Sequence, residues 1–459
     1  MTRPPDLGSL SSAEKDALIK TLLARIEEFM ARVQALESEN AALRAKLKLP
    51  PKTPDNSSTP PSQGHKGSDE AGSRPKSKTH PGAHRALHPN PTRYEEVRAQ
   101  RCPHCRTDVS GVVQTAMQVY ERIEIPEIRP DVTRVRLHGG VCPCCARKFK
   151  AKPPAGLEPG SPFGPNLRAF VLYLRFTHAI SFERLARLTT DLLGVEISEG
   201  ALVNMLAHSR PAFAYQASLI RARLLASTIL QSDETSQRVA KQTWWNWVFH
   251  HADSACFLIR PSRGKDVVEE FLGEVRPQFW VSDRLAAQMG WATQDHQVCL
   301  AHLLREAQFA IDAGDTTFAP GLRRLLADAC DIGQRRAELA DTTLRAYAAK
   351  LERRLDLLLR NSPTNTQGKK LMAVIKKARQ HLFVFLPHRA IPPTNNGSEQ
   401  ALRPCVVFRK VTNCFRSRWG ALLYADIRSV LETARRRAIS PLHAIRLTLD
   451  GQPLPLASP

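Results

Sequence analysis

The chain has 459 residues, with 66 basic against 44 acidic side chains and a formal charge of +22. That excess implies a polyanionic partner, and nucleic acid is favoured over membrane because no basic amphipathic surface helix stands out. No N-terminal signal pattern and no bilayer-length apolar run are present, so the expectation is a cytosolic protein without a membrane partner, in roughly two to four domains. Ten cysteines could suggest disulfides, but half of them crowd into two knuckles, which in a reducing compartment points to metal.

Ser11-Ser12-Ala13-Glu14 reads as a capping-box start, and residues 1–50 are expected to form a coiled-coil dimerisation helix. Ile19, Leu22, Ile26, Phe29, Val33, Leu36, Asn40, Leu43 and Leu47 alternate by three and four, filling the a and d positions. Asn40 at an a position favours a parallel two-stranded register, with Arg32 facing Glu37 and Glu39 facing Arg44 across a homodimer. Residues 51–92 are rich in Pro, Ser, Gly, Lys and His and are expected to be a disordered basic linker.

Within 93–155, Cys102-Pro103-His104-Cys105 and Cys142-Pro143-Cys144-Cys145 bracket alternating stretches at 117–125 and 132–137 that predict strands. Paired C-x-x-C knuckles predict a closed structural zinc site on Cys102, Cys105, Cys142 and Cys145, with Cys144, His104 and His138 as possible substitutes. Residues 160–226 read as helical. A helix beginning in 181–188, a turn at 194–198 and a helix over 199–210 have the shape of a helix-turn-helix, although Asn204, His208 and Arg210 are a thin base-reading set and a plain helical hairpin fits as well.

Residues 227–405 carry the chemistry. The run 228–230 leads into Ser232-Asp233-Glu234-Thr235, and Phe279-Trp280-Val281 delivers Asp283 in the same way. Strands at 244–251 and 255–260, then a helix over 264–272, lie between the two acids; a fifth strand is expected at 296–301, with a helix from His302. This order opens a ribonuclease-H-like domain, in which the first and fourth strands are neighbours. A helical insertion at about 315–390 separates it from Thr394-Asn395-Asn396-Gly397-Ser398-Glu399, which opens a late helix. Two acids at strand ends and one on a late helix suit a pair of divalent ions at a phosphodiester. The 406–459 segment reads as a basic helical tail, and Arg403, Arg409, Lys410, Arg416 and Arg418, interleaved with Phe408, Phe415 and Trp419, suit a groove for DNA phosphates.

Each acid has an innocent alternative. Asp233 could be a turn residue rivalled by Glu234 on the other strand face, Asp283 a helix cap, and Glu399 the end of a capping box with Asn396, paired to Arg403.

The chain resembles transposases of the insertion-sequence-66 family, bacterial DDE enzymes, over nearly its whole length. The likeness rests on the coiled coil, the paired C-x-x-C module, Asp233-Glu234-Thr235, Ser282-Asp283, Cys299-x-x-His302-Leu303-x-Arg305, Asn395-Asn396-x-x-Glu399-x-x-Leu402-Arg403-Pro404, Arg409-Lys410 and Leu431-Glu432-Thr433-Ala434. It departs from the family at Arg284-Leu285, where Gly-Tyr is expected, and at Gln400, where Arg is usual. The resemblance implies an α/β multidomain protein with a ribonuclease-H-like core, and Asp233, Asp283 and Glu399 as the ligands of two Mg2+ or Mn2+ ions. It further implies hydrolysis at transposon ends and transfer of the freed 3′-hydroxyl into target DNA, with accessory proteins of the same element as possible partners. Cys299, His302, Arg305, Asn395 and Asn396 are supporting candidates, and for Cys299 and His302 a structural contact is the favoured role. The competing reading is a zinc and coiled-coil DNA-binding protein with an inactive nuclease fold; a third is a structure-specific nuclease that cuts without joining.

Overall fold

The computed structural model describes residues 11–47, 49–57 and 85–456. Most of the expected linker, 58–84, lies outside the described residues, as do the side chains of Leu43, Arg44 and Leu47 in the heptad pattern. No helix among the described residues is long and apolar enough to cross a membrane. The chain divides into two compact units, one of residues 66–162 and 183–199, the other of 1–65, 163–182 and 200–459.

In the smaller unit the two C-x-x-C motifs fold alike. Cys102 N–H donates to Thr107 O and Arg106 N–H to Cys102 O, both 2.9 Å, and Cys142 repeats the pattern with Arg147 and Ala146 at the same lengths. Arg106 and Ala146, at equivalent positions, take φ of 64° and 54°. The second knuckle sits between antiparallel strands β1 (Gly139–Val141) and β2 (Lys148–Lys150). The strands expected at 117–125 and 132–137 do not form. Their apolar residues Met117, Val119, Ile123, Ile125 and Val132 are exposed and have no neighbouring strand to pair with, so alternation alone does not make a ladder. Helix α3 (Phe182–Leu193) belongs largely to this unit.

In the larger unit α1 (Ser12–Leu47) is a continuous helix. Its heptad residues Ile19, Leu22, Ile26, Phe29, Val33 and Leu36 are between 49% and 65% exposed, an apolar stripe that this chain leaves uncovered. Helix α2 (Pro165–Thr177) precedes α4 (Glu199–Leu225), which does not stop near Arg210 but continues through Pro211. A proline inside a helix costs about 3 kcal/mol. Leu202, Met205, Leu206, Phe213, Ala217, Ile220 and Leu224 continue one buried face past it, and that packing offsets the cost.

The chemistry-bearing sheet holds β3 (Ile229–Val239), β4 (Gln242–His251), β5 (Ser254–Arg260), β6 (Phe279–Ser282) and β7 (Asp295–Val298) in the order β5-β4-β3-β6-β7. The first three strands are antiparallel, and β6 and β7 run parallel to β3. The first and fourth strands are thus neighbours. The fifth strand ends at Val298, short of Ala301, because α6 (Leu300–Asp312) starts there with Cys299 as its N-cap.

Alternation along the strands assigns two faces. On one, Phe249 stacks at 3.9 Å on Phe271 of α5 (Lys265–Leu272) and meets Trp280 edge-on. On the other, Ile229, Phe279, Val281 and Val298 share one apolar cluster with α6, α7 (Ala319–Arg335), α8 (Asp341–Leu358) and α9 (Thr366–Ala378). The expected insertion therefore packs into the core of the sheet rather than standing apart.

Both sheet edges are covered. Thr433 and Ser429 of α11 (Arg418–Arg436) accept from Ala255 and Phe257 N–H on β5 at 3.1 and 2.8 Å. Beside β7, buried Gln297 donates to Leu382 O at 3.0 Å and accepts from Phe385 N–H at 3.1 Å. The basic segment from residue 406 contributes α11 and α12 (Pro441–Leu449) to the same compact unit and so is a structural part of it rather than a tail.

Candidate active site

The β3–β6 register sets the first two acids. Ile229 pairs with Phe279, Leu230 with Trp280 and Gln231 with Val281, an offset that, continued two residues further, sets Asp233 of β3 level with Asp283, the residue that follows β6. Neighbouring strands lie about 4.8 Å apart. Both acids share strand parity with Ile229, Phe279 and Val281, so they face the side that carries α6. Glu234 has the opposite parity. Its carboxylate is held at 2.7 Å by Arg263, which also lies over Trp245, and it accepts from Gln288. It forms a structural ion pair on the other face, its own side chain buried and that of Arg263 half exposed.

Helix α6 presents Cys299, His302 and Arg305 at three-residue spacing, on one side of the helix. His302 Nδ1 lies 3.0 Å from Asp283 Oδ1, and its Nε2 lies 3.8 Å from Glu399 Oε1. Arg305 donates to the same Glu399 oxygen at 3.1 Å. His302 thus links the second acid to the third, which stands in the first turn of α10 (Asn396–Thr412). The Asp283–His302 contact is off the hydrogen-bond line, leaving Asp283 Oδ1 and His302 Nδ1 buried without a hydrogen-bond partner.

Electrostatics follow from this crowding. Burial, then the Asp283 and Glu234 charges, push the Asp233 carboxyl well above the ordinary carboxylate range, although Glu234 N–H donates to it at 2.8 Å. Burial opposes charge on His302, but Asp283 and Cys299 outweigh it and raise the imidazole to about 10. In the bare site the His302 and Arg305 cations offset part of the carboxylate charge.

A buried polar network ties these elements together. Asn395 donates from Nδ2 to Ser232 O at 2.8 Å and accepts from Ser398 Oγ at 2.7 Å, and its N–H reaches Cys299 Sγ at 3.1 Å. Ser398 Oγ also meets His250 Nε2 at 2.8 Å. Burial drives that histidine's pKa well down, so it is neutral. A Cβ on Gly397 would stand 3.0 Å from the His250 ring, a contact tight enough that the ring would have to give by a few tenths of an ångström. Ser232 Oγ accepts from Trp280 and donates to Gln288. Ser232, His250, Gln288 and Ser398 were not legible as site residues in the sequence; only the period-two burial around Asp233 hinted at Ser232.

The innocent alternatives for the acids do not describe this arrangement. Asp283 caps no helix, since the following 3-10 turn, Ala286–Gln288, starts from Leu285. Glu399 pairs with His302 and Arg305, and no Glu399–Arg403 ion pair occurs among the described residues. Of the two asparagines only Asn395 is buried in the network, whereas Asn396 is exposed. Arg284, one departure from the family pattern, is ion-paired with Glu306, and Gln400 is exposed.

The basic residues divide. Arg403, Lys410, Arg416 and Arg418 are exposed, but Arg409 donates to Thr235 Oγ1 at 3.1 Å and to Ser236 O, bracing the far end of β3. Phe408 and Phe415 do not present faces to a ligand. They pack with Tyr424, and Phe176 stacks on Phe408: Phe408 lies on the buried side of α10, and Phe415 is held by its bridge to Val239 of β3. Trp419 is half-buried.

In the smaller unit Thr107 and the neighbouring Cys102 lower the Cys105 thiol to about 7, and the backbone N–H groups of Cys145 and Cys144 lower Cys142. Each knuckle has the turn and the acidified thiol that a thiolate ligand needs. Among the described residues the sulfurs of the two pairs do not close into one cluster; the group whose ligand atoms lie within 4.8 Å of one another is Asp283, Cys299 and His302.

A mixed sheet carrying level acids on adjacent parallel strands, with a third acid on a helix packed to it, defines a class of acid-site α/β proteins. Residues 160–422, more than half of the chain and inclusive of all three acids, match the family model described as Transposase IS66 family, and the chain belongs to that family. A search of curated proteins found no match.

Proposed function

We propose that this transposase-family chain is a DDE enzyme with a ribonuclease-H-like core, acting on the ends of its own element. The observation that carries the reading is the β3–β6 register, which levels Asp233 with Asp283, joined to the His302 bridge that reaches Glu399. The donor set fits magnesium or manganese: three carboxylates supply hard oxygen ligands, and Asp283 Oδ1 is a buried acceptor with no hydrogen bond of its own. Two such ions bound by Asp233, Asp283 and Glu399 would supply Lewis-acid activation of the attacking and leaving oxygens of a phosphodiester.

The chain's own residues do the positioning. Asn395 fixes the strand of Asp233 against the helix of Glu399, while Arg305 and His302 hold Glu399 toward Asp283. Arg403, Lys410, Arg416 and Arg418 supply exposed charge for DNA phosphates. Strand cleavage and joining on labelled DNA bearing the sequences that flank the gene should give metal-dependent 3′-hydroxyl ends that join to target DNA, and Glu399→Gln should give neither. Binding of those ends without cleavage by wild type would point to a DNA-binding protein, and cleavage without joining to a nuclease.

We further propose that α1 pairs with a second copy through its exposed heptad stripe. Deleting 1–50 should lower the sedimenting mass to that of a monomer; unchanged self-association would remove the idea. We also propose that Cys102, Cys105, Cys142 and Cys145 hold one structural zinc, whose binding would draw the two knuckles together. Metal analysis of purified protein should find about one zinc per chain at these thiolates, and a quadruple Cys→Ser variant that keeps it would overturn the assignment.

A further inference from the structure

We propose that Asp283, Cys299 and His302 form a second metal site, selective for a zinc-class ion, that borrows Asp283 from the acid site and inhibits the enzyme when filled. The proposal rests on the reading of Asp283 as a magnesium ligand. One thiol, one imidazole and one carboxylate have ligand atoms within 4.8 Å of one another. Tetrahedral zinc, with bonds of about 2.0–2.3 Å, separates its ligand atoms by roughly 3.3–3.8 Å, so small side-chain shifts close this group on an ion. The closest pair is His302 Nδ1 and Asp283 Oδ1, two buried atoms 3.0 Å apart.

The surroundings resemble the outer shell of a metal centre. With Nδ1 on the metal, His302 Nε2 still faces the Glu399 carboxylate at 3.8 Å, an arrangement that orients metal-bound imidazoles. Cys299 Sγ accepts the Asn395 N–H at 3.1 Å, as metal thiolates accept backbone amides. Sulfur and nitrogen donors select zinc over magnesium, which demands oxygen. Three protein ligands leave one position open. Filling the site displaces the thiol proton and the Nδ1 proton of the His302 imidazolium to solvent and commits Asp283 to the wrong ion.

The test uses the full-length protein and Co2+ as the probe, read by the sulfur-to-cobalt charge-transfer band. Wild type and Cys299→Ser are compared by difference, so that the knuckle thiolates common to both cancel. Wild type should bind one more cobalt than Cys299→Ser, with a thiolate band that the variant lacks. His302→Gln should weaken that cobalt by more than the roughly 10–100-fold typical of losing an outer-shell partner. Zinc should inhibit magnesium-dependent cleavage by wild type. Each variant, scaled to its own zinc-free rate, should need at least about tenfold more zinc. Equal cobalt stoichiometry and spectra in wild type and in both variants, folded by circular dichroism, would overturn the site. A cobalt difference in a wild type that never cleaves DNA would support the metal site while sinking the acid-site reading and the inhibition built on it.

Discussion

Asp233→Asn is expected to lower magnesium-dependent cleavage and joining by at least about 1,000-fold, roughly 4 kcal/mol of transition-state stabilisation, while making the metal-free protein more stable. The two effects share one cause. Asp233 is crowded by Asp283 and Glu234 and desolvated by its place in β3, so its carboxyl titrates well above the ordinary range. Such a group contributes stability that is fully present below the unfolded-state value near 3.8 and is lost as pH rises through the folded-state value. Asparagine keeps the oxygen that accepts the Glu234 N–H and removes the charge. The variant's advantage should therefore be absent in acid and grow with pH, read as a rising Tm difference from wild type. Magnesium should reverse the order, because it stabilises only the form that binds it. Melting curves at pH 5 and pH 8, with and without magnesium, read all of this. An Asp233→Asn protein that gains as much from magnesium as wild type and still cuts DNA would remove Asp233 from the site.

Asn395→Ala is expected to cost about 2–3 kcal/mol of stability, roughly 5–10 °C in Tm, and to slow cleavage by about 100-fold. The side chain is fully buried and makes one hydrogen bond across elements, to Ser232 O, and one within the first turn of its own helix, from Ser398 Oγ. Alanine leaves a strand carbonyl and a hydroxyl buried with poorer partners. Ser232 precedes Asp233 and Ser398 precedes Glu399, so the same cross-link sets the spacing between the first and third acids. A misplacement of about 1 Å is enough for the loss of rate. Asn396→Ala, at an exposed position, should stay within about 0.5 kcal/mol of wild type. A destabilised Asn395→Ala protein with undiminished cleavage would show that the network holds the fold and does not set the acids.

Much of this was written in local pattern. The length of α1 follows from its heptads. The strand-strand-strand-helix-strand order between Asp233 and Asp283 follows from aromatic and β-branched runs bounded by turn residues, and the observed strands differ from it by a residue or two except at β7 and at β3, which pairs with β4 as far as Val239 and so holds Asp233 within the strand rather than at its end. The knuckle turns follow from C-x-x-C. Where local pattern misled, a long-range cause decided. Alternation at 117–125 found no partner strand. Pro211 did not end α4, since a continuous buried face outweighed it. Phe408 and Phe415, which look like stacking surfaces beside arginines, turn inward to Tyr424, and Arg409 braces β3.

The sequence by itself singled out Asp233, Asp283 and Glu399 as candidate acids and the order in which strands and helices present them, because side-chain chemistry and hydrophobic period are local properties. Only the tertiary structure decided that Asp233, and not Glu234, shares a face with Asp283. The parity of a strand has no inside or outside until a helix layer covers one side. It also decided that His302 stands between Asp283 and Glu399, and that Asn395 rather than Asn396 links their elements. Those are contacts between residues some 100 to 160 positions apart in places, and no spacing along the chain encodes which of two adjacent polar side chains becomes buried.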